Sequence, residues 1–213
     1  MQSEVDVALD NEELTSAARR HLGRIAGEVR RMRDITDSLL LLAQADAGAL
    51  DLSVAAGTID VVDFFEATLS RWRDAAEARG ARLDQQLPDE GRMTGDADLL
   101  ARVFDNLLDN ALRHGGEAPR ITVTVSGLGG AWVIAVADDG PGVPETVRPR
   151  LFERFARGES RSTRGTGLGL ALAAAIVAAH HGTLRLDAGA GTGRTAGARF
   201  VVTLPAPRDG ASP

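Results

Sequence analysis

The 213-residue sequence predicts an α+β protein, a long amphipathic helix followed by a two-layer α/β sandwich. Three observations predict it. Apolar residues between about positions 12 and 47 recur at steps of three and four, the period of a helix packing along one seam. Beyond residue 80, short runs alternate with the period of two expected of half-buried strands. Helical and strand patterns then follow each other without the strict βαβ rhythm of a parallel sheet, and with no internal repeat.

The first helix has Asp10 or Asn11 as its cap and Glu13 near its first turn. Leu22, Ile25, Val29, Met32, Thr36, Leu39 and Ala43 form its seam, as in a bundle or coiled coil. Leu14, His21, Ile35 and Leu42 widen the apolar face, so the helix needs more than one neighbour; the alternative is a core helix of an ordinary globular domain. Val5, Ala8 and Leu9 read as the last turns of another helix. The pattern stops at Ala47-Gly48, and the small residues Val54 to Gly57 read as a connector, which puts a domain boundary near 50 to 57.

A second amphipathic helix is predicted from Val62 to Arg79, carrying Phe65, Leu69, Trp72 and Ala76 and ended by Gly80. A short strand follows from Ala81 to Leu87. Asp96 is the N-cap of a helix over 97–113. Arg120 to Ser126 and Ala131 to Ala137 form a hairpin about a Gly-rich turn. Next come a Gly/Pro-rich loop, a short helix ending near Phe155, an Arg/Ser/Gly-rich loop and an Ala-rich helix from Leu168 to His180. Strands Thr183 to Ala188 and Arg199 to Leu204 complete the domain, and the tail after Pro205 is expected to fray.

Composition removes several classes of function. A net charge of −6 offers no basic field for a nucleic-acid backbone. The absence of cysteine excludes disulfides, thiol catalysis and thiolate metal sites, and the four histidines lack H-E-x-x-H spacing. All 24 basic residues are arginine. Without lysine there is neither a G-x-x-x-x-G-K-[ST] phosphate loop nor the strand lysine of a Ser/Thr/Tyr-type kinase. No apolar run reaches the roughly 20 residues that span a bilayer, and the acidic N-terminus is unlike a signal peptide, so a soluble chain inside the cell is expected.

Three segments carry candidate chemistry. In D-N-L-L-D-N-A-L-R-H, residues 105–114, Asn106, Asn110 and Arg113 share one helix face. An asparagine carbonyl oxygen suits Mg²⁺ already held by phosphate, and Arg113 can meet those phosphates; the alternative is a polar face turned to water. Asp138-Asp139-Gly140-Pro141-Gly142 follows a strand. A carboxylate there can accept from the exocyclic amine of adenine and would reject guanine, while the glycines allow close approach; a simple turn is the alternative. Gly165-Thr166-Gly167-Leu168-Gly169-Leu170 opens the Ala-rich helix with backbone N–H groups suited to phosphate, and does not match the dinucleotide pattern G-x-G-x-x-G.

In order and spacing, the N-x-x-x-N helix, the D-x-G-x-G loop, Leu151-Phe152-Glu153-Arg154-Phe155 and the G-x-G-x-G helix start resemble the catalytic domain of two-component sensor histidine kinases. The resemblance covers nearly the whole chain. It implies a Bergerat-type ATP-binding domain at 58–205, a linker at 51–57, the end of a dimerisation and histidine-phosphotransfer hairpin at 1–50 and a tail at 206–213. The resemblance also implies residue roles. Asn110 would ligate Mg²⁺, Asn106 would line the same pocket, and Arg113 and His114 would contact phosphate or stack near the nucleotide. Asp138 would read adenine, with Gly140 and Gly142 beside it. Phe152 and Phe155 would be core anchors at the base of an ATP lid over about 156–166. Arg154 would serve the phosphate side or the interface with the phosphotransfer helices. Gly165, Thr166, Gly167, Leu168 and Gly169 would form the lid hinge and phosphate loop.

The sequence also departs from the family. Arg113-His114 replaces a common lysine-tyrosine pair, and Gly197-Ala198-Arg199-Phe200 has alanine where a hydroxyl is frequent. The acceptor motif H-E-x-R-T-P is absent; His21, His114, His180 and His181 all lack its following acid and proline. The chain is therefore expected to begin inside the hairpin's first helix. The implied activity is transfer of the γ-phosphoryl of Mg-ATP to a histidine on a partner's phosphotransfer helices, for relay to a response regulator, without autophosphorylation of this chain. A homodimer is implied for full-length relatives, in the cytoplasm and often tethered to a membrane by N-terminal segments. Two other readings remain. A hydrolase of the same superfamily would place glutamate where Asn106 stands, and an amide is no general base. A non-catalytic module would bind ATP or a kinase partner without transfer.

Overall fold

The computed structural model describes residues 16–50, 56–156, 166–187 and 197–206. The chain divides into two compact units, Met1–Leu41 and Leu42–Pro213. Helix α1, Ser16–Asp46, runs through the first unit and ends in the second. Along it Ile25, Val29 and Met32 of the expected seam are exposed, while Ala26 is buried. The helix stops where the sequence predicts, at Gly48, whose φ of 63° turns the chain so that the Ala49 amide donates to Gln44.

The second unit is a sheet with a layer of helices against it. Its elements are β1 (Gly57–Asp60), α2 (Val61–Ala78), β2 (Arg82–Gln86), β3 (Arg92–Gly95), α3 (Ala97–His114), β4 (Arg120–Leu128), β5 (Ala131–Asp138), α4 (Gly169–Ala179), β6 (Thr183–Leu186) and β7 (Arg199–Pro205). Five strands are ordered β2-β4-β5-β7-β6. The β2–β4 pair is parallel and the others are antiparallel. Register makes one face apolar: Val123 opposes Val136, which opposes Phe200, and Val125 opposes Ile134, which opposes Val202. All six are buried, with Phe65, Leu69, Phe104, Leu107, Leu108, Leu172 and Ile176 of the helices. Phe64, Phe65 and Phe104 meet edge-on where α2 crosses α3, with Phe65 and Phe104 centroids 4.8 Å apart.

The α+β reading and most of the elements hold. Two local expectations fail. The segment read as a connector into a helix contains β1, which pairs with an unpredicted β3 in a two-stranded sheet. At four residues each, with Gly57 and Gly95 at one end, these strands carry too little alternation to register as strands. No helix ends near Phe155. A three-residue 3₁₀ turn at Arg148–Arg150 follows Pro144 and contains Pro149, and turns carry the chain to Phe155. The expected lid is largely outside the described residues, as are the first cap at Asp10 or Asn11 and the terminal tail.

Candidate functional site

Helix α3 is the spine of the site. Asp96 starts it as expected, its Oδ1 accepting from the amides of Asp98 and Leu99 at 3.0 Å. Leu100, Val103, Phe104, Leu107, Leu108, Ala111 and Leu112 bury one face, which leaves Asn106, Asn110 and His114 in a line, one turn apart, along the flank. The N-terminus of α4 meets this line at Asn106, and the loop after β5 meets it at His114-Gly115.

At the α4 end, the Asn106 Nδ2 donates to the Arg102 carbonyl at 2.8 Å, one turn back on its own helix. That bond aims its Oδ1 at Gly169, where a Cβ would lie 2.6 Å away. Only glycine allows this approach. Just before it, the Gly167 carbonyl accepts from the Phe155 amide at 2.8 Å, and Thr166 Oγ1 accepts from the Leu168 amide at 3.3 Å. Gly167 has a φ of 72° and packs on the Phe155 backbone, so residues 155 and 167 are tied together. Gly165 lies outside the described residues.

At the β5 end, Asp138 Oδ1 accepts from the Gly140 amide at 2.9 Å and the Ala198 amide at 3.3 Å. The Asp138 amide in turn donates to the Ala198 carbonyl at 2.9 Å. Burial pushes the Asp138 carboxyl above its usual range, and Asp139 adds to this; the two amides and nearby His114 oppose it. Asp139 Oδ1 accepts from the Arg120 amide at 2.7 Å, tying the loop to β4. A Cβ on Gly140 would lie 2.5 Å from the Gly115 Cα, so the loop sits directly on the end of α3. Gly142 turns the following backbone with a φ of 74°.

The arrangement joins Asn106, Asn110, His114, Asp138, Gly140, Gly167, Leu168 and Gly169 along one helix. From Asn106 to Gly115 it rises about 13 Å, at about 1.5 Å per residue. A carboxylate thus marks one end and a glycine-rich helix start the other, with the Asn110 amide half-buried between them. That donor set fits a nucleotide laid along α3, its base toward Asp138 and its phosphates toward Gly167–Gly169.

Arg113 and Arg154 each have a partner within the chain. Arg113 Nε is bound to the Asp109 carboxylate at 2.7 Å on its own helix, an i,i+4 pair that competes with any phosphate. Arg154 donates to Asp46 and to the Leu42 carbonyl, both in the last turn of α1. Phe155 is not a core anchor: its φ is 60° and its side chain is 61% exposed. Phe152 does pack inward, edge-on to Phe200 with centroids 6.4 Å apart. Sequence reasoning missed the main chain of Ala198 as the partner of Asp138, because a backbone contact leaves no residue-type signal.

Residues 95–208, from β3 through β7, match the family described as histidine kinase-, DNA gyrase B- and HSP90-like ATPase. The chain belongs to this ATPase family. It is 35% identical over 187 residues to a probable sensor histidine kinase, TcrY of Mycobacterium tuberculosis, with 86% of this chain and 38% of TcrY covered. The mycobacterial sensor histidine kinase MprB has a similar structure, with a TM-score of 0.64 at 29% identity, covering 70% of this chain and 98% of that one. Full-length ShkA, solved in complex with AMPPNP, gives a TM-score of 0.76 at 26% identity, covering 93% of this chain and 41% of that one. The chain carries the ATP-binding catalytic portion shared by these sensor kinases and spans 38–39% of the length of two curated relatives. No helix among the described residues is long and apolar enough to cross a membrane.

Proposed function

We propose that this chain binds Mg-ATP along α3 and transfers its γ-phosphoryl to the imidazole of a histidine on a partner's phosphotransfer helices, for relay to a response regulator. The observation that carries this reading is the placement of a carboxylate, a half-buried amide and a glycine-rich helix start on one helix flank.

In this reading Asp138 accepts from the adenine amine through its second carboxylate oxygen, because Oδ1 is already used by Gly140 and Ala198. Asn110 would hold Mg²⁺, whose charge would offset that gathering on the phosphates. The backbone N–H groups at Gly167–Gly169 would cradle phosphate oxygens, and Asn106 would fix that turn against α3. His114 would stand near the base. Arg113, once released from Asp109, would reach phosphate. Arg154 at the end of α1 would serve the interface with the phosphotransfer helices. The exposed seam of Ile25, Val29 and Met32 suits self-association of α1 into a homodimer. Asn106, an amide already donating to Arg102, supplies no base to activate water, which disfavours hydrolysis as the main reaction.

The experiment is label transfer from γ-labelled ATP. The chain alone is expected to take up no acid-labile label. Mixed with a kinase partner whose own magnesium asparagine has been replaced, it is expected to label the partner's histidine. Label on the chain itself that vanishes in His21→Ala would make His21 the acceptor. ATP binding without label on any partner would favour the non-catalytic module.

A further inference from the structure

His180 is one of two buried polar residues among the described residues, the other being Thr68. It ends α4, and its ring reaches into the junction of β3 and α3. Nδ1 lies 2.8 Å from the Ile176 carbonyl, which can only accept, so Nδ1 carries a proton. Nε2 lies 3.0 Å from the Asp96 amide, which can only donate, so Nε2 is bare. The two partners together select the neutral Nδ1–H tautomer.

The Asp96 bond lies where α3 begins. Asp96 caps the helix with its side chain and gives its own N–H to a ring 84 residues further along the chain. The ring presses on Gly95, where a Cβ would lie 2.8 Å from Cδ2 and 3.0 Å from Nε2. At its other end α4 meets α3 again, through Gly169 against Asn106. The two helices therefore run antiparallel and are pinned at both ends. From Gly169 to His180 α4 rises about 16 Å, and from Asp96 to Asn106 α3 rises about 15 Å, so the spans match. A slip of α4 along its axis would break the His180–Asp96 bond and carry Gly167–Gly169 away from Asn106 and Asn110.

We propose that His180 is a positioning residue for the nucleotide site, setting the axial register of α4 against α3 and thereby the place of the phosphate-binding turn. The inference rests on the nucleotide reading above for its effect on ATP, and on geometry alone for its effect on register. His180→Gln keeps an acceptor where Nε2 sits, whereas His180→Asn is too short to reach Asp96 and His180→Leu removes both bonds.

The test measures ATP dissociation constants and backbone amide shifts of Leu168–Leu172 for the full chain, at a temperature where circular dichroism shows each variant folded. Expected are affinity losses of at least tenfold and moved shifts in His180→Asn and His180→Leu, with His180→Gln within about threefold of the starting chain. Should the leucine variant fail to fold, the Gln and Asn variants decide. Folded Asn and Leu variants with unchanged affinity and shifts would overturn the proposal. If the unmodified chain binds no ATP, the nucleotide reading fails by itself: moved shifts would still support the register pin, and unmoved shifts would end it too.

Discussion

The Asn106 carboxamide and Gly169 are fitted to each other, since a methyl group on Gly169 would sit 2.6 Å from Oδ1 while Nδ2 is held by the Arg102 carbonyl. Gly169→Ala must therefore displace the amide or break that bond. At the first residue of α4 alanine gains less than the roughly 1 kcal/mol it has in a helix interior, and the lost bond is worth about 1 kcal/mol, so stability should fall by no more than about 1 kcal/mol. If the Gly167–Gly169 turn holds phosphate as proposed, ATP affinity should nevertheless fall at least about tenfold, because that turn moves. Thermal unfolding and calorimetry on the same variant check both halves.

Asp138 should make nucleotide binding pH-dependent. Burial raises its carboxyl, so in the free fold it takes up a proton at higher pH than an ordinary carboxylate does. A raised folded value contributes stability that is present below the unfolded pKa and lost as pH rises through the folded one. Accepting from adenine is stronger from the opposite, ionised form. ATP affinity should thus weaken as pH falls through this raised range, before ordinary carboxylates titrate, while stability of the free chain gains from the same protonation. Titrating ATP affinity against pH for the unmodified chain and Asp138→Asn checks the sign, and the slope should be absent in the variant.

Trp72 offers a control away from the site. Its Nε1 donates to Asp105 Oδ1 at 2.7 Å, joining α2 to the outer flank of α3. Trp72→Phe should lower stability by about 1 kcal/mol through that bond, plus a further loss of packing, and leave ATP affinity unchanged. Denaturant unfolding and nucleotide titration separate the two effects.

The Arg154–Asp46 pair should be weak in energy. Its side chains are 40% and 63% exposed, and exposed pairs couple by about 0.2–1 kcal/mol. A double-mutant cycle of Arg154→Ala and Asp46→Ala, read by denaturant unfolding, should fall within that range.

The order of motifs made the fold and the candidate site largely legible. The Asp96 cap, the apolar stripe of α3 and the alternation of β4 and β5 are local signals, and each survives in the structure. What was illegible depends on contacts distant in sequence. His180 against Asp96 and Ala198 against Asp138 pair a side chain with a main-chain amide, and nothing in residue type announces that. Phe155 misled because an apolar residue beside Phe152 implies burial, whereas its backbone turns the ring outward to meet Gly167. Arg113 differs: it lies on the expected flank of α3, and the structure adds its ion pair with Asp109 four residues earlier.

If α3 seats an adenine nucleotide with Asp138 against the base, the chain must distinguish adenine from guanine. Calorimetry of the unmodified chain and Asp138→Asn with Mg-ATP and Mg-GTP tests it most directly. ATP should bind in preference to GTP, and the variant should lose about 1–3 kcal/mol for ATP as a charge-assisted hydrogen bond disappears. Equal affinity for ATP and GTP in the unmodified chain, or an unchanged ATP affinity in Asp138→Asn, would contradict it.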